Sequence, residues 1–149
     1  MSLDGEYEPN TMNWVAKHVE RYEATGGEDG RIYYGKPTVI LTTLGAKTGK
    51  VRKVALMRVA DDEAVRYAVV GSLGGAPQNP VWVNNLLAHP DDVRLQDGPV
   101  VRDYTARQVE GDERAEWWKR ALEAFPQYGE YQKKTERTIP VFVLGPKEG

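Results

Sequence analysis

A chain of 149 residues with a net charge of −2 and no cysteine is long enough to bury one substantial core. It can hold no disulfide, thiolate nucleophile, iron–sulfur cluster or cysteine zinc site. A pI near 5.8 argues against a general nucleic-acid binder, which presents a basic domain, and His18 and His89 alone supply no histidine-rich metal site. No apolar run approaches the roughly 20 residues of a membrane span. The polar, acidic stretch Met1–Asn10 has no apolar signal-peptide core. The expectation is a cytoplasmic protein with a flexible segment at 1–10 and a single domain at 11–149.

From Met12, apolar residues recur at Val15, Ala16, Val19 and Tyr22, which is helical spacing. Asn10 or Thr11 suits its cap, and Gly26-Gly27 suits its end. Thr38–Leu44 is rich in β-branched residues and reads as a strand. Val51–Ala60 and Ala64–Gly71 read as two more, separated by a turn at Asp61-Asp62-Glu63. Asn79 as cap and Pro80 as first helical residue open a short helix that runs through Ala88. His89-Pro90 closes it. Val93–Gln96 and Val100–Val109 form a hairpin turned at Asp97-Gly98. Asp112–Phe125 is a second strong helix, with a buried stripe of Trp117, Trp118, Ala121, Leu122 and Phe125. After a polar stretch, Ile139–Leu144 is the last strand. Too few helices alternate with strands for a doubly wound sheet. The pattern predicts an α+β fold, a mainly antiparallel small barrel with helices packed outside.

Three segments can carry chemistry. Between two strands, Lys47, Lys50, Arg52, Lys53 and Arg58 are five cations with no acid among them. Gly45 and Gly49 let backbone N–H groups converge there, which suits a phosphate, and Thr48 adds a hydroxyl. A solvated basic hairpin tip is the competing reading. It is not a Walker A loop, because Val51 follows Lys50. The second segment, Gly71–Trp82, joins a strand to a helix start. Its small residues let a ligand approach the backbone, and Trp82 can stack on a planar ring or serve the core. The third is Tyr128 and Tyr131, three apart, which a helical turn puts on one face. They can line a pocket or donate a proton.

Together these segments resemble the deazaflavin-dependent nitroreductase family of actinobacteria, also described as coenzyme F420-dependent quinone reductases. The resemblance runs from about Trp14 to Leu144. It is carried by Thr42-Thr43-Leu44-Gly45-Ala46-Lys47-Thr48-Gly49 with Arg52, and by Val70-Gly71-Ser72-Leu73-Gly74-Gly75. Asn79-Pro80-Val81-Trp82, Asn85-Leu86, Ala88-His89-Pro90, Phe125–Tyr131 and Thr138-Ile139-Pro140 complete it, in that order. It implies a split β-barrel related to flavin-mononucleotide-binding oxidoreductases. It also implies hydride transfer from reduced coenzyme F420 to a planar acceptor: a quinone, a nitroaromatic, or an activated enone or lactone such as coumarin or aflatoxin. Lys47, Thr48, Gly49 and Arg52 would hold the coenzyme's phosphate and acidic tail. Ser72, Gly74, Gly75, Val81 and Trp82 would surround the deazaflavin. Tyr128 and Tyr131 would be the catalytic pair, and Met57 and Phe125 would shape the acceptor pocket, with no metal.

The chain departs from the family at Leu73, where a basic residue is common, at Met57, often a tyrosine, and at Phe125, which lacks a hydroxyl. An enzyme using flavin mononucleotide on the same barrel, and a non-catalytic deazaflavin-binding protein, stay open as alternatives. So do monomer against homodimer, and peripheral membrane contact through the first helix.

Overall fold

The computed structural model describes residues 3–33 and 35–147; the outermost residues of both expected segments, and Tyr34, lie outside that range. Among the described residues, four helices surround eight strands, all paired antiparallel. The strands are β1 (Ile32–Tyr33), β2 (Lys36–Leu44), β3 (Val51–Met57), β4 (Val59–Ala60), β5 (Tyr67–Val70), β6 (Val93–Asp97), β7 (Val100–Gln108) and β8 (Val141–Pro146). The helices are α1 (Asn13–Ala24), α2 (Val81–Ala88), α3 (Gly111–Ala124) and α4 (Gln127–Lys133), with a 3-10 turn at Leu73–Gly75.

From β3 the pairing runs through β2, β6, β7, β8 and β5 to β4. The two ends of this path, β3 and β4, are separated in the chain by Arg58 alone. One bent segment therefore serves both edges, and the sheet curls into a split barrel. This is the α+β barrel the sequence pattern predicts.

Both faces of the central strands are covered. Along β2, Val39 and Leu41 point into the barrel with Phe142 and Leu144, while Ile40 points out against Val19 and Tyr22 of α1. Along β8, Phe142 and Leu144 point inward, and Val141 and Val143 meet Trp117, Ala121 and Tyr128 of α3 and α4. All four are essentially inaccessible. A fully buried side chain of this kind contributes about 1.5–3 kcal/mol, so a strand such as IPVFVL with no polar face belongs between two layers. Trp82, Val83 and Leu86 of α2 complete the interior cluster.

Several boundaries differ from the sequence expectation. The stretch Val51–Ala60 bends at Arg58, whose N–H donates to Pro37 O (3.0 Å). The turn after Ala60 runs on to Arg66, because the Asp61 carboxylate accepts from the N–H groups of Val65 (2.9 Å) and Arg66 (3.2 Å). Neither Asn10 nor Thr11 caps α1: Met12 occupies the cap position and the Asn10 side chain accepts from Met12 N–H. Pro80 stands at the α2 cap position and Val81 is the first helical residue. Trp118 and Leu122 are only half-buried. The polar stretch after Phe125 is α4, a short helix that packs rather than propensity sustains.

Tyr22 ties α1 to the barrel. Fully buried, its hydroxyl donates to Thr38 O (2.9 Å) and accepts from Gly98 N–H (2.8 Å). Tyr22→Phe strands both partners and should cost about 1–3 kcal/mol, measurable as a lower urea midpoint with an unchanged slope.

Candidate functional site

One cleft of about 670 Å³ opens between α1, β3, the 71–79 loop and α4. Its lining includes Arg52, Met57, Ser72, Gly74, Val81, Trp82, Phe125, Tyr128 and Tyr131. Four expected site residues do not line it. Lys47, Thr48 and Gly49 sit at the tip of the β2–β3 hairpin, and Gly75 is buried behind the loop.

The hairpin tip is locally fixed. Gly45 N–H donates to Lys50 O (2.8 Å), and Gly49, with φ of +70°, donates to Gly45 O (2.9 Å). The Thr48 hydroxyl accepts from Lys50 N–H (3.1 Å). Buried Asn85 of α2 completes the attachment: its carbonyl accepts from Ala46 N–H (2.9 Å) and its amide donates to the Thr43 hydroxyl (3.1 Å). An amide on the face that Trp82 and Leu86 bury, next to the exposed Asn84, is the signal that could have marked Asn85.

The positive focus read from the sequence is corrected by pairing that the sequence separation concealed. Lys50 meets Glu6 (3.6 Å), Arg52 meets Glu8 (3.3 Å) and Lys53 meets Glu23 (2.7 Å). The segment carrying Glu6 and Glu8 runs beside β3, with Glu8 N–H on Val51 O (2.8 Å) and Val51 N–H on Glu6 O (2.7 Å). Arg58 is at the far end of β3, roughly 20 Å from the tip at strand rise, and holds Asp97 (2.8 Å). Lys47 is exposed, and among the described residues no carboxylate pairs with it.

On the opposite wall, Phe125, Tyr128 and Tyr131 form an aromatic cluster. Phe125 and Tyr128 meet edge to face at 5.1 Å, and Tyr131 lies 6.1 Å from Phe125 and 6.3 Å from Tyr128. Burial, with Tyr131 beside it, pushes the Tyr128 phenol well above its ordinary value. Tyr128 thus stays neutral across the physiological range. The half-buried Tyr131 donates its hydroxyl to Gln127 (3.1 Å).

The loop between them is strained. Leu73 takes a φ of +45°, uncommon without glycine, and is followed by Gly74 at +64° and Gly75 at +83°. A side chain at Gly75 would lie 2.7 Å from Tyr131 O, so the loop and α4 touch backbone to backbone. At Gly74 an added Cβ meets nothing within 4 Å. Leu73, Val81, Met12 and Trp14 are exposed apolar residues around the mouth. Trp82 serves both readings, lining the cleft while packing edge to face on Phe142 at 6.4 Å.

The fold and the cleft define a class of architecture: an antiparallel split barrel with an open, partly aromatic cleft at its side. Residues 14–146 match the model of the F420H(2)-dependent quinone reductase family, and the chain belongs to that family. It is 36% identical over 144 residues to the F420H(2)-dependent quinone reductase Rv1261c of Mycobacterium tuberculosis, covering 88% of this chain and 95% of that one. A solved F420-H2 dependent reductase, FDR-A, shares 53% identity with a TM-score of 0.67, over 72% of this chain and 93% of that one. A second structure, solved as a domain-swapped dimer, shares 48% identity with a TM-score of 0.70, over 91% and 99%. The protein is thus an F420H2-dependent oxidoreductase, with coenzyme F420 as its cofactor.

Asn85→Leu removes both bonds that hold the hairpin tip. It should lower stability by about 1–3 kcal/mol and speed amide exchange at Ala46, followed by hydrogen-exchange NMR.

Proposed function

We propose that this reductase takes a quinone as its principal acceptor, and that the cleft between the hairpin and α4 is where coenzyme and acceptor meet. The observation that supports it most is the two-sided cleft: cations of β3 on one wall, three aromatic rings on the other. Nitroaromatics and activated enones or lactones such as coumarin or aflatoxin are planar enough for the same wall and form the rest of the acceptor class.

The residues present suit the coenzyme. Its phosphodiester and glutamate tail are polyanionic. Lys47, Thr48, Gly49 and Arg52 would hold them by charge-assisted bonds, with Glu8 giving up Arg52. The volume beside Ser72, Gly74, Gly75, Val81 and Trp82 would take the ring, and the open space at Gly74 leaves room against the backbone. When bound in reduced form, the deazaflavin supplies the hydride. The chain's own residues orient, exclude water and manage the proton. Phe125 and Met57 offer an apolar surface to a flat acceptor. Tyr131, with its hydroxyl at the half-exposed side, would donate a hydrogen bond or a proton to the acceptor oxygen. Tyr128 would act as a neutral hydroxyl and a wall, since a raised phenol pKa makes it a weak acid. The exposed Met12, Trp14, Leu73 and Val81 would meet the acceptor's lipophilic part. This rim is also the surface best suited to peripheral contact with a bilayer.

A fluorescence titration with oxidised coenzyme F420, with flavin mononucleotide run alongside, tests the ligand; preference for flavin mononucleotide would overturn the assignment. Lys47→Ala with Arg52→Ala should weaken coenzyme binding by about tenfold or more and flatten its salt dependence; an unchanged dissociation constant would move the anion site elsewhere. With menadione as acceptor, Tyr128→Phe with Tyr131→Phe should lower kcat by about a hundredfold and leave coenzyme affinity nearly constant. An undiminished kcat would leave the tyrosines a packing role only.

A further inference from the structure

Arg137 lies in the polar link between α4 and β8, where the sequence shows only an isolated cation. Its guanidinium donates to Gly71 O (3.1 Å), Ser72 O (2.7 Å), Ala76 O (2.9 Å) and the Asn79 side-chain oxygen (2.7 Å). Among the described residues it pairs with no carboxylate, and it does not line the cleft. Its own backbone is held by α4: Gln132 donates to Arg137 O (2.8 Å) and accepts from Ile139 N–H (3.0 Å). Arg137 thus fastens the 71–79 loop from behind.

A trans peptide unit carries its C=O and N–H on opposite sides. Because the carbonyls of Gly71 and Ser72 turn to Arg137, the N–H groups of Ser72 and Leu73 in the same two peptide units point away from it. Among the described residues neither N–H donates to any oxygen, although Ser72 is buried. Buried N–H groups are nearly always paired, so the free donor of buried Ser72 beside a cleft calls for an acceptor that the ligand brings, and the N–H of the exposed Leu73 follows it in the chain. Both Ser72 and Leu73 line that cleft. The positive φ at Leu73 is the backbone cost of this orientation.

We infer that Arg137 is a positioning residue that turns the Ser72 and Leu73 N–H groups into the cleft as a donor pair for the carbonyl edge of the coenzyme ring. The inference rests on the proposed placement of the ring beside this loop. A planar five-donor fork satisfies four oxygens at once, and an ammonium on a flexible stem does not. Preformed donors of this kind cost no reorganisation when charge develops on the ring.

The test compares Arg137→Lys, Arg137→Ala and Gly74→Asn in the full-length protein, using oxidised coenzyme F420 as ligand and thermal midpoints to verify folding. Both Arg137 variants should bind roughly tenfold more weakly. The absorption spectrum of the bound ring should move toward that of the free coenzyme, and millimolar guanidinium should restore part of the affinity of Arg137→Ala. Gly74→Asn, which fills the open side of the loop with a residue that tolerates the left-handed backbone there, should weaken binding without the spectral change or the rescue. If Gly74→Asn weakens binding while folded Arg137→Lys keeps the wild-type affinity and spectrum, the positioning role is wrong and the ring site stands. Weakened binding in the Arg137 variants with an unchanged spectrum and no rescue would reduce Arg137 to a structural tie. If none of the three affects binding, the ring lies elsewhere and both readings fall.

Discussion

The barrel depends on one charged junction. Asp97, at the end of β6, accepts from the Arg58 guanidinium at 2.8 Å and from the Tyr67 hydroxyl at 2.7 Å, both on the same oxygen. Arg58 is the residue at which β3 turns into β4, and Tyr67 opens β5. The three groups therefore pin the corner where the sheet's two edges become one chain segment. Burial and the bond to Asp97 push the Tyr67 phenol up, so its proton stays in place. A partly buried pair of this kind adds little net stability, but removing one partner leaves an uncompensated charge. Its value is in geometry: it sets the bend that brings β3, with Arg52 and Met57, across from α4.

The remaining architecture follows from that closure. Strands covered on both faces are mostly apolar, as β5 and β8 are, and β2 adds the buried threonines Thr38, Thr42 and Thr43 to its apolar run. The helices are then bound to fixed sides: α2 completes the interior, α1 packs on β2, and α3 with α4 pack on β5 and β8. The cleft is the gap left between the α1 side and the α4 side. Its two walls differ in chemistry because they come from different layers.

Most of this was legible from local pattern. β-branched runs gave the strands, and 3.6-residue spacing gave α1 and α3. The resemblance gave the barrel and the coenzyme. What the sequence hid was pairing across long separations. Glu6 and Glu8 precede the basic hairpin by some forty residues, so the hairpin reads as unbalanced when taken alone. Arg58 looks like one more cation of that cluster and is instead a corner post. Arg137 has no periodic or motif signal, and Asn85 stands in a motif of the resemblance with no role attached to it. Their importance lies in which backbone groups they satisfy, and that is decided only when the loop and hairpin arrive beside them. The helix α4 was hidden because Gly129 and a short length weaken its propensity, while its contacts with α3 and the 71–79 loop sustain it.

The acidic segment along β3 has one more consequence. With Glu8 on Arg52 and Glu6 on Lys50, those cations are already paired before any ligand arrives. On the proposed reading, coenzyme binding at Arg52 is ion exchange, not capture: the tethered Glu8 carboxylate leaves as an anionic group arrives. Such a site discriminates by valence. A lone phosphate competes poorly with a tethered carboxylate at high local concentration. A chain of linked anions can displace several at once, and the hairpin thereby favours a long polyanionic tail over the small anions that surround it.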